Sequence, residues 1–583
     1  MKKHSRVHCG ILISIALVLG APMLAIGQQR SEPQQKESAS SNEAALKPAP
    51  ASNEGELTER EKRLLDRIDN LERRLAELES RTKPAGAATE APSGTTATFK
   101  APADGTHSNP ANSSPGLAPA LAAGSASAGE TRAAAAGVAS TQLGPNAQAP
   151  NQIASAQPRK PQKKEPFAFA DFTWLTGNSR EKDVPLDTKF FTPEIRFDVD
   201  YVHDFNHPKD DTIGGSSEIF RSGEFQVTQI GVGGDFHWNN VRGRLMTQFG
   251  MYSETTPRND ASPGRGQWNL DGAYRYISEA YGGYHIDKLN GINIDAGIFM
   301  SYVGLFSYYQ FDNWAYQPSY VSSNTPWFFN GVRIQIFPSD KLKIEPWIVN
   351  GWQSYGKFNK APGLGLQILW RPNSWLSVLG NQYYGTDTLG IKNRKRIHTD
   401  DSIQVKYIDR PNSFLSKAAF TFTFDAGCEF GNNSGVKCHG GDAATPSQYF
   451  LGFMAYNRFW FHHDLFGLTL GGGAITNPGR YLVLLPPING ATAFTGTPYF
   501  TENPGDKYKA WDASVTFDYM PTQYSTFRFE VNHRAANVPY FSGPGGVTPD
   551  GGNTGNPAAL VPGFTPDLRK YENRITFALL VKF

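Results

Sequence analysis

Cysteine is nearly missing: three in 583 residues, at Cys9, Cys428 and Cys438. So low a count excludes a disulfide-dense scaffold and a cysteine-rich metal framework. Charge of one sign is missing as well, with 56 Lys and Arg against 54 Asp and Glu for a formal +2. A nucleic-acid partner would call for a clustered basic footprint, and this balance gives it no support. Beyond the amino terminus no stretch approaches 18 consecutive apolar residues, which excludes a transmembrane helix. Aromatics are missing from the first 165 residues except for Phe99, whereas the other 72 fall in the remaining 418. Length alone would suggest several domains of about 150 residues; the aromatics instead divide the chain into a front that cannot build an aromatic core and a back loaded with the material for one.

The front reads as four segments. Lys2, Lys3 and Arg6 precede an apolar run from Ile11 to Leu19, and Ala25-Ile26-Gly27 offers small residues for cleavage, so 1–27 is a signal peptide and the chain is exported. Cys9 precedes the apolar run, which is not a lipoprotein arrangement. Residues 28–55 read as disordered. In 56–81, Leu57, Leu64, Leu71 and Leu78 repeat every seven residues at one seam position, and Ile68 and Leu75 fill the other, with Glu61 as a polar exception. Glu and Arg alternate between them, as at the exposed positions of a coiled coil. A lone helix of this length buries nothing, so the seam predicts a short parallel coil joining copies of the chain; the plainer reading is a marginal, solvated helix. Residues 82–165 are rich in Ala, Pro, Ser and Gly and cannot offset their ordering entropy by burial. They form a linker, spanning on the order of 50 Å as a flexible coil. Residues 166–190 lead into the back of the chain.

From Phe191 the period becomes two. Counting back from the carboxyl terminus, Phe583, Val581, Leu579, Phe577 and Ile575 alternate with Lys582, Leu580, Ala578, Thr576 and Arg574. The same stripe returns in Trp511, Ala513, Val515, Phe517 and Tyr519 against Asp512, Ser514, Thr516 and Asp518, and in Ile195, Phe197, Val199 and Tyr201 against Arg196, Asp198 and Asp200. A soluble sheet would turn such charges to water; a membrane barrel would turn the apolar stripe to lipid and the charges to a lumen. Connection lengths separate the two. Short turns, three of them in the aligned forms FPSDKL, WRPNSWL and DRPNSFL, alternate strictly with long connections at 204–223, 252–273, 301–326, 350–363, 385–400, 426–447, 475–510 and 535–572. Seven short turns and eight long loops require 16 strands with both ends on the short-turn side, as in an outer-membrane barrel. The fold class is therefore all-β, a transmembrane antiparallel β-barrel over 191–583. At that size wall side chains cannot fill the interior, which predicts an aqueous channel.

Four stretches, EAYGGYHI at 279, INIDAGIFMSYVG at 292, TPWFFNGVRI at 325 and IVNGW at 348, resemble the β-barrel porin family described as OmpL-like. The resemblance covers the barrel alone. It implies a bacterial outer-membrane location and a pore, and carries over no binding residues.

If Phe583 marks the lipid-facing register, the opposite register lines the pore. Arg196, Arg242, Arg244, Arg333, Lys343, Lys406, Arg528, Arg534 and Arg574 then point inward, with Glu194, Asp198, Asp200, Asp295, Glu345, Asp512, Asp518 and Glu530. Nine positive positions against eight negative ones predict weak ion selectivity, the plainer reading being that they pair with each other and keep the lumen wet. The third long loop holds Tyr302, Phe306, Tyr308, Tyr309, Phe311, Trp314, Tyr316 and Tyr320. Folded inward it would constrict the pore and offer aromatic faces to sugar rings; the plainer reading packs it outside on its neighbours or on the aromatic belt. Cys428 and Cys438 predict a disulfide in the sixth loop, with a metal site through His439 as the alternative. The run KNRKR from Lys392 reads as a solvated loop or a contact to anionic lipopolysaccharide, and His462-His463 as an interfacial turn.

The reading is a porin for passive diffusion of small hydrophilic solutes, without cofactor or metal. Its partners are outer-membrane lipid, those solutes and, through 56–81, further copies of itself; coil and linker would lie in the periplasm. An enzyme is disfavoured because no G-x-S-x-G accompanies His203 or His533. An adhesin using the coil for oligomerisation or cell-wall contact is the alternative, although an adhesin anchor would need only a few strands per chain. Chemical cross-linking checks the coil: the intact chain should yield oligomers that disappear when 56–81 is deleted, whereas a spacer would leave them unchanged.

Overall fold

The computed structural model describes Arg73 and residues 165–583, apart from 217, 261, 263–264, 358, 388–392, 433–435, 441–446, 480–506 and 552–563. The signal peptide, the seam residues from Leu57 to Leu78 and the linker lie outside the described residues. No described helix is long and apolar enough to cross a membrane. Crossing falls to strands.

These strands are Phe191–Asp204 (β1), Phe225–Trp238 (β2), Val241–Thr247 (β3), Ile277–Ile286 (β4), Ile292–Met300 (β5), Phe328–Ser339 (β6), Leu342–Val349 (β7) and Gly363–Asn373 (β8). Leu376–Gly385 (β9), Lys395–Asp409 (β10), Leu415–Phe430 (β11), Tyr449–Phe461 (β12), Phe466–Asn477 (β13), Tyr508–Thr522 (β14) and Ser525–Ala536 (β15) continue the series. Phe541–Ser542 (β16) and Leu568–Arg569 (β17) pair as a small ribbon in the last loop, and Tyr571–Lys582 (β18) ends the chain. Apart from the ribbon, each strand pairs with its neighbour, and β18 pairs antiparallel with β1, placing Val581 opposite Phe197 and Phe577 opposite Tyr201. The 16 strands thus close into the barrel read from the loop lengths. Closure satisfies the backbone without leaving an edge to lipid.

The two-residue period decides which face meets what. Along β18 every second residue from Glu572 to Lys582 is buried, whereas Tyr571, Asn573, Phe577 and Leu579 are exposed. The outward set on neighbouring strands is as apolar: Phe197, Val232, Leu245, Ile294, Ile348, Ile368, Phe453, Val515 and Val531 each keep more than a third of their surface open. A continuous outward band of this kind is far larger than a monomeric soluble protein exposes, and lipid is the solvent that suits it. Near the short-turn end the outward aromatics stack across strands, with Phe466 on Tyr519 at 5.6 Å, Tyr519 on Phe527 at 6.0 Å and Tyr524 on Phe583 at 5.8 Å. That is the interfacial girdle of an outer-membrane barrel.

Two strands run furthest past their expected bounds, while β3 and β4 stop short of theirs, at Thr247 and Ile277. β10 starts and β11 ends well inside the loops assigned to 385–400 and 426–447, because their ladder continues through Ile397–Cys428 to Lys395–Phe430. Glu429 accepts from Arg394, just before β10, and, at 3.0 Å, from Arg396 within it, so both are held against the end of β11. Cys428 accordingly sits at the end of β11 rather than in a loop, joined to Cys438 with 5.2 Å between their Cα atoms.

Phe577, half exposed and packed on Phe529 at 5.0 Å, tests the lipid face. Phe577→Arg should cost about 2–4 kcal/mol in urea unfolding from liposomes, whereas Thr576→Ser beside it, on the inward register, should cost well under that. Equal effects at the two sites would contradict the assignment of faces.

Candidate functional site: the charged lumen and the loop that crosses it

Antiparallel register builds the lumen's ion pairs. Asp295 and Arg333 stand opposite each other on β5 and β6, Asp235 and Arg244 on β2 and β3, and Asp518 and Arg528 on β14 and β15. Each opposition becomes a salt bridge, at 2.9, 2.9 and 2.7 Å respectively. Cross-strand pairing of opposite charge is the sheet's own means of stabilising a polar face. The pairs then grow into clusters. Arg244 also reaches Glu194 at 3.0 Å and Glu279 at 2.9 Å, Asp295 also meets Arg242 at 3.3 Å, and Asp518 also takes Arg458 at 2.7 Å. Lys343 holds Glu345 at 2.7 Å, Arg574 holds Glu572 at 3.3 Å, and Arg196 pairs with Glu194.

Every residue named from the sequence as inward is placed on the inner register. Arg242 and Lys343 are partly open, and the other fifteen are buried. The same period carries charges the sequence reading passed over: Asp235, Glu279, Arg371, Arg458 and Glu572 on the wall, and His398, Asp400 and Asp425 where β10 and β11 outrun their expected ends. Asp425 faces His398 at 2.6 Å. Extending the count of alternate positions one turn into each loop would have found them.

Residues 301–327 lie across the inside of the barrel rather than on its outer rim. Tyr302 opens the crossing, donating to the Gln382 carbonyl on β9 at 2.9 Å. Tyr309 donates to Glu279 on β4 at 2.9 Å and lies under the Arg196 guanidinium at 4.0 Å. Tyr308 donates to Gln248, and Tyr316 donates to Asp198 on β1 at 2.9 Å. Burial pushes the Tyr308, Tyr309 and Tyr316 hydroxyls well above their ordinary pKa, which keeps them protonated as donors. Trp314 packs edge-on against Trp460 of β12 at 5.6 Å, and Phe306 against Tyr456 at 5.1 Å. Arg528 donates to the Asn313 carbonyl at 2.7 Å and Arg458 to that of Trp314 at 3.2 Å.

Two carboxylates anchor the far side. Glu530 accepts the backbone N–H of Tyr316 at 2.7 Å and of Gln317 at 2.8 Å. Asp512 accepts the Ser319 hydroxyl at 2.8 Å and the Tyr320 N–H at 3.1 Å. Asp512 stands opposite Arg534 in the ladder, and Arg534 donates to the Gly215 carbonyl and lies over the Tyr320 ring of the loop at 3.9 Å. The short helix Tyr320–Ser323 follows, and Gly473 on β13 makes room for it: a Cβ there would stand 2.5 Å from Ser319 Oγ. The glycine run 471–473 was the available sign, since a glycine inside a strand marks close approach of other chain.

As a result the lumen charges are covered. Arg244, Arg333, Arg458, Arg534 and Arg574 rank among the largest fully buried side chains. The interior that wall side chains cannot fill is occupied by chain, the inward placement of the third long loop that the sequence offered as the less plain of two readings. Among the described residues no group of three or more His, Cys, Asp or Glu is arranged to hold a metal ion.

Hydrogen bonds to charged acceptors are worth about 1.5–3 kcal/mol each, so removing both anchors should free the loop. Glu530→Ala with Asp512→Ala should raise single-channel conductance in planar bilayers while the folded barrel stays heat-modifiable on gels. Unchanged conductance would show that the loop is not the part of the path that limits it.

No curated protein matches the chain. Solved structures that it resembles include the outer membrane channel DcaP of Acinetobacter baumannii, at 13% identity over 68% of this chain and 99% of that one, with a TM-score of 0.38. An anion-selective porin from Comamonas acidovorans matches at 9% identity over 67% and 99%, with a TM-score of 0.39. OmpT, an outer membrane protein of Vibrio cholerae, matches at 10% identity over 68% and 99%, with a TM-score of 0.37. The family described as "Putative beta-barrel porin-2, OmpL-like" matches residues 197–561, well over half of the chain, and this 16-stranded protein belongs to it.

Proposed function

We propose that the barrel carries small hydrophilic solutes across the outer membrane by passive diffusion, with weak ion selectivity. The cross-strand ion pairing is the observation that supports it. Arg196, Arg242, Arg244, Arg333, Lys343, Arg528 and Arg574 are matched along the wall by Glu194, Asp235, Glu279, Asp295, Glu345, Asp518 and Glu572, so these fourteen groups leave no net fixed charge to favour one ion. Pairing also keeps the wall hydrophilic, which suits neutral sugars and zwitterions. Tyr309, Trp314 and Tyr316 stand in the loop that crosses the path, and the disulfide Cys428–Cys438 secures the outer end of β11. Residues 56–81 join copies of the chain on the periplasmic side, where the short turns and both barrel ends lie.

Proteoliposomes and planar bilayers test this reading together. Liposomes should swell with neutral sugars, amino acids and phosphate faster than protein-free controls. A tenfold KCl gradient should give a reversal potential well below half of the roughly 59 mV of a fully selective channel. A potential near that limit would contradict weak selectivity, and no swelling with any solute would contradict the channel.

A further inference from the structure

The lead-in to β1 runs through the mouth of the barrel. At one end, the Phe167 N–H donates to the Asp340 carbonyl in the β6–β7 turn at 2.7 Å. Midway, Trp174 Nε1 donates to the Ser374 carbonyl in the β8–β9 turn at 3.1 Å, and Ser179 donates to Asp464 in the β12–β13 turn at 2.9 Å. At the far end, Asn178 donates to the carbonyl of Thr522, the last residue of β14, at 2.9 Å, and the Lys182 N–H donates to Gln523 in the β14–β15 turn at 3.0 Å. The β6–β7 and β14–β15 turns are separated by eight strands in either direction round a barrel of 16. The two ends of the segment therefore stand on opposite sides of the mouth, and its middle is held by the half of the rim from β8 to β13.

Sixteen strands about 4.8 Å apart and tilted about 40° make a circumference of roughly 100 Å and a diameter of roughly 32 Å. Residues 167–178 would reach at most about 40 Å if extended, and the turn over 166–169 and the 3-10 turn Thr173–Leu175 shorten that reach.

The segment is tightly packed. Phe172, Trp174, Leu175, Asn178 and Ser179 are at most 2% exposed. Its aromatics lie on wall and turn cations: Phe169 under Lys341 at 4.9 Å, Phe167 and Phe172 on Arg371 at 5.1 and 4.9 Å, and Trp174 under Lys406 at 5.9 Å. On its inner side it meets the crossing loop. The Gly177 N–H donates to the Asp312 carbonyl at 2.9 Å, and a Cβ at Gly177 would stand 2.5 Å from the Asn313 carbonyl oxygen. Arg458 ties the two together, donating to the Gly177 carbonyl at 2.8 Å and to that of Trp314.

We infer that residues 167–180 are a plug that closes the short-turn mouth of the channel, and that solute passage requires its displacement. Two layers obstruct the path, the crossing loop and this segment beneath it, but they are attached differently. The loop is covalently tied at both ends to adjacent strands, whereas the plug is anchored to the barrel through β1 alone, with the Ala/Pro/Ser/Gly-rich residues 82–165 at its other end. Withdrawing it breaks the polar contacts named above without unpairing any barrel strand.

Two variants of the full chain test the plug, which rests on the channel reading. Deleting 167–179 should raise planar-bilayer conductance several-fold over the intact protein. Ser179→Cys with Asp464→Cys, whose native side chains already touch, should be closed when oxidised and should conduct as the intact protein does when reduced. Heat-modifiable migration and resistance of the barrel to trypsin establish folding of both. Equal, measurable conductance in the intact, deleted and oxidised proteins would overturn the plug and leave the channel standing. Conductance in none of them, deletion included, would overturn both.

Discussion

A polypeptide inside hydrocarbon has no water to which its N–H and C=O groups can turn, and each group left unmet costs several kcal/mol. The pairing of β1 with β18 answers that constraint, since it turns sixteen strands into a ladder without an edge. Much else follows from it. Once closed, the sheet has only two faces, and a strict period of two must assign Phe577, Leu579 and Val515 to one and Arg574, Thr516 and Asp518 to the other. Charges confined to the inner face then pair across strands, and register supplies many of the pairs: Asp295 opposite Arg333, Asp235 opposite Arg244, Asp518 opposite Arg528.

Closure at sixteen strands also creates a space that wall side chains cannot fill. Here it is filled by chain. The loop 301–327 threads between opposite walls, and its backbone amides find the carboxylates of Glu530 and Asp512. Arg458 serves wall, loop and lead-in segment alike, through Asp518, Trp314 and Gly177. A single guanidinium with its planar set of donors can do this where a lysine could not. The lumen is therefore a layered polar interior whose contents have different degrees of attachment.

The fold was legible because its signals are periodic and redundant. The stripe ending in Phe583 sets the register, and the alternation of short turns such as FPSDKL with long loops sets the strand count; each tolerates an error of a few residues. The inner face followed from the same count, down to individual positions such as Glu345 and Arg528. What stayed hidden depends on where chain returns in space. Nothing in the spacing of Tyr308, Tyr309 and Tyr316 says that they turn inward to Gln248, Glu279 and Asp198, although Gly471, Gly472 and Gly473 marked the wall against which the loop rests. Phe167, Phe172 and Trp174 read as a lead-in because their partners, Asp340, Arg371 and Ser374, lie more than 170 residues away. The charges Asp400 and Asp425 were missed for a smaller reason: strand ends were placed too early on β10 and β11.

The claim on which the account rests is that one stripe of each strand touches lipid and the other does not. A nitroxide scan along 571–582 in bilayers measures this directly, through collision with dissolved oxygen, which concentrates in hydrocarbon. The account predicts high oxygen accessibility at Ile575, Phe577 and Leu579 and low accessibility at Arg574, Thr576 and Ala578, alternating residue by residue. A profile without that alternation, or with the two sets exchanged, would contradict it.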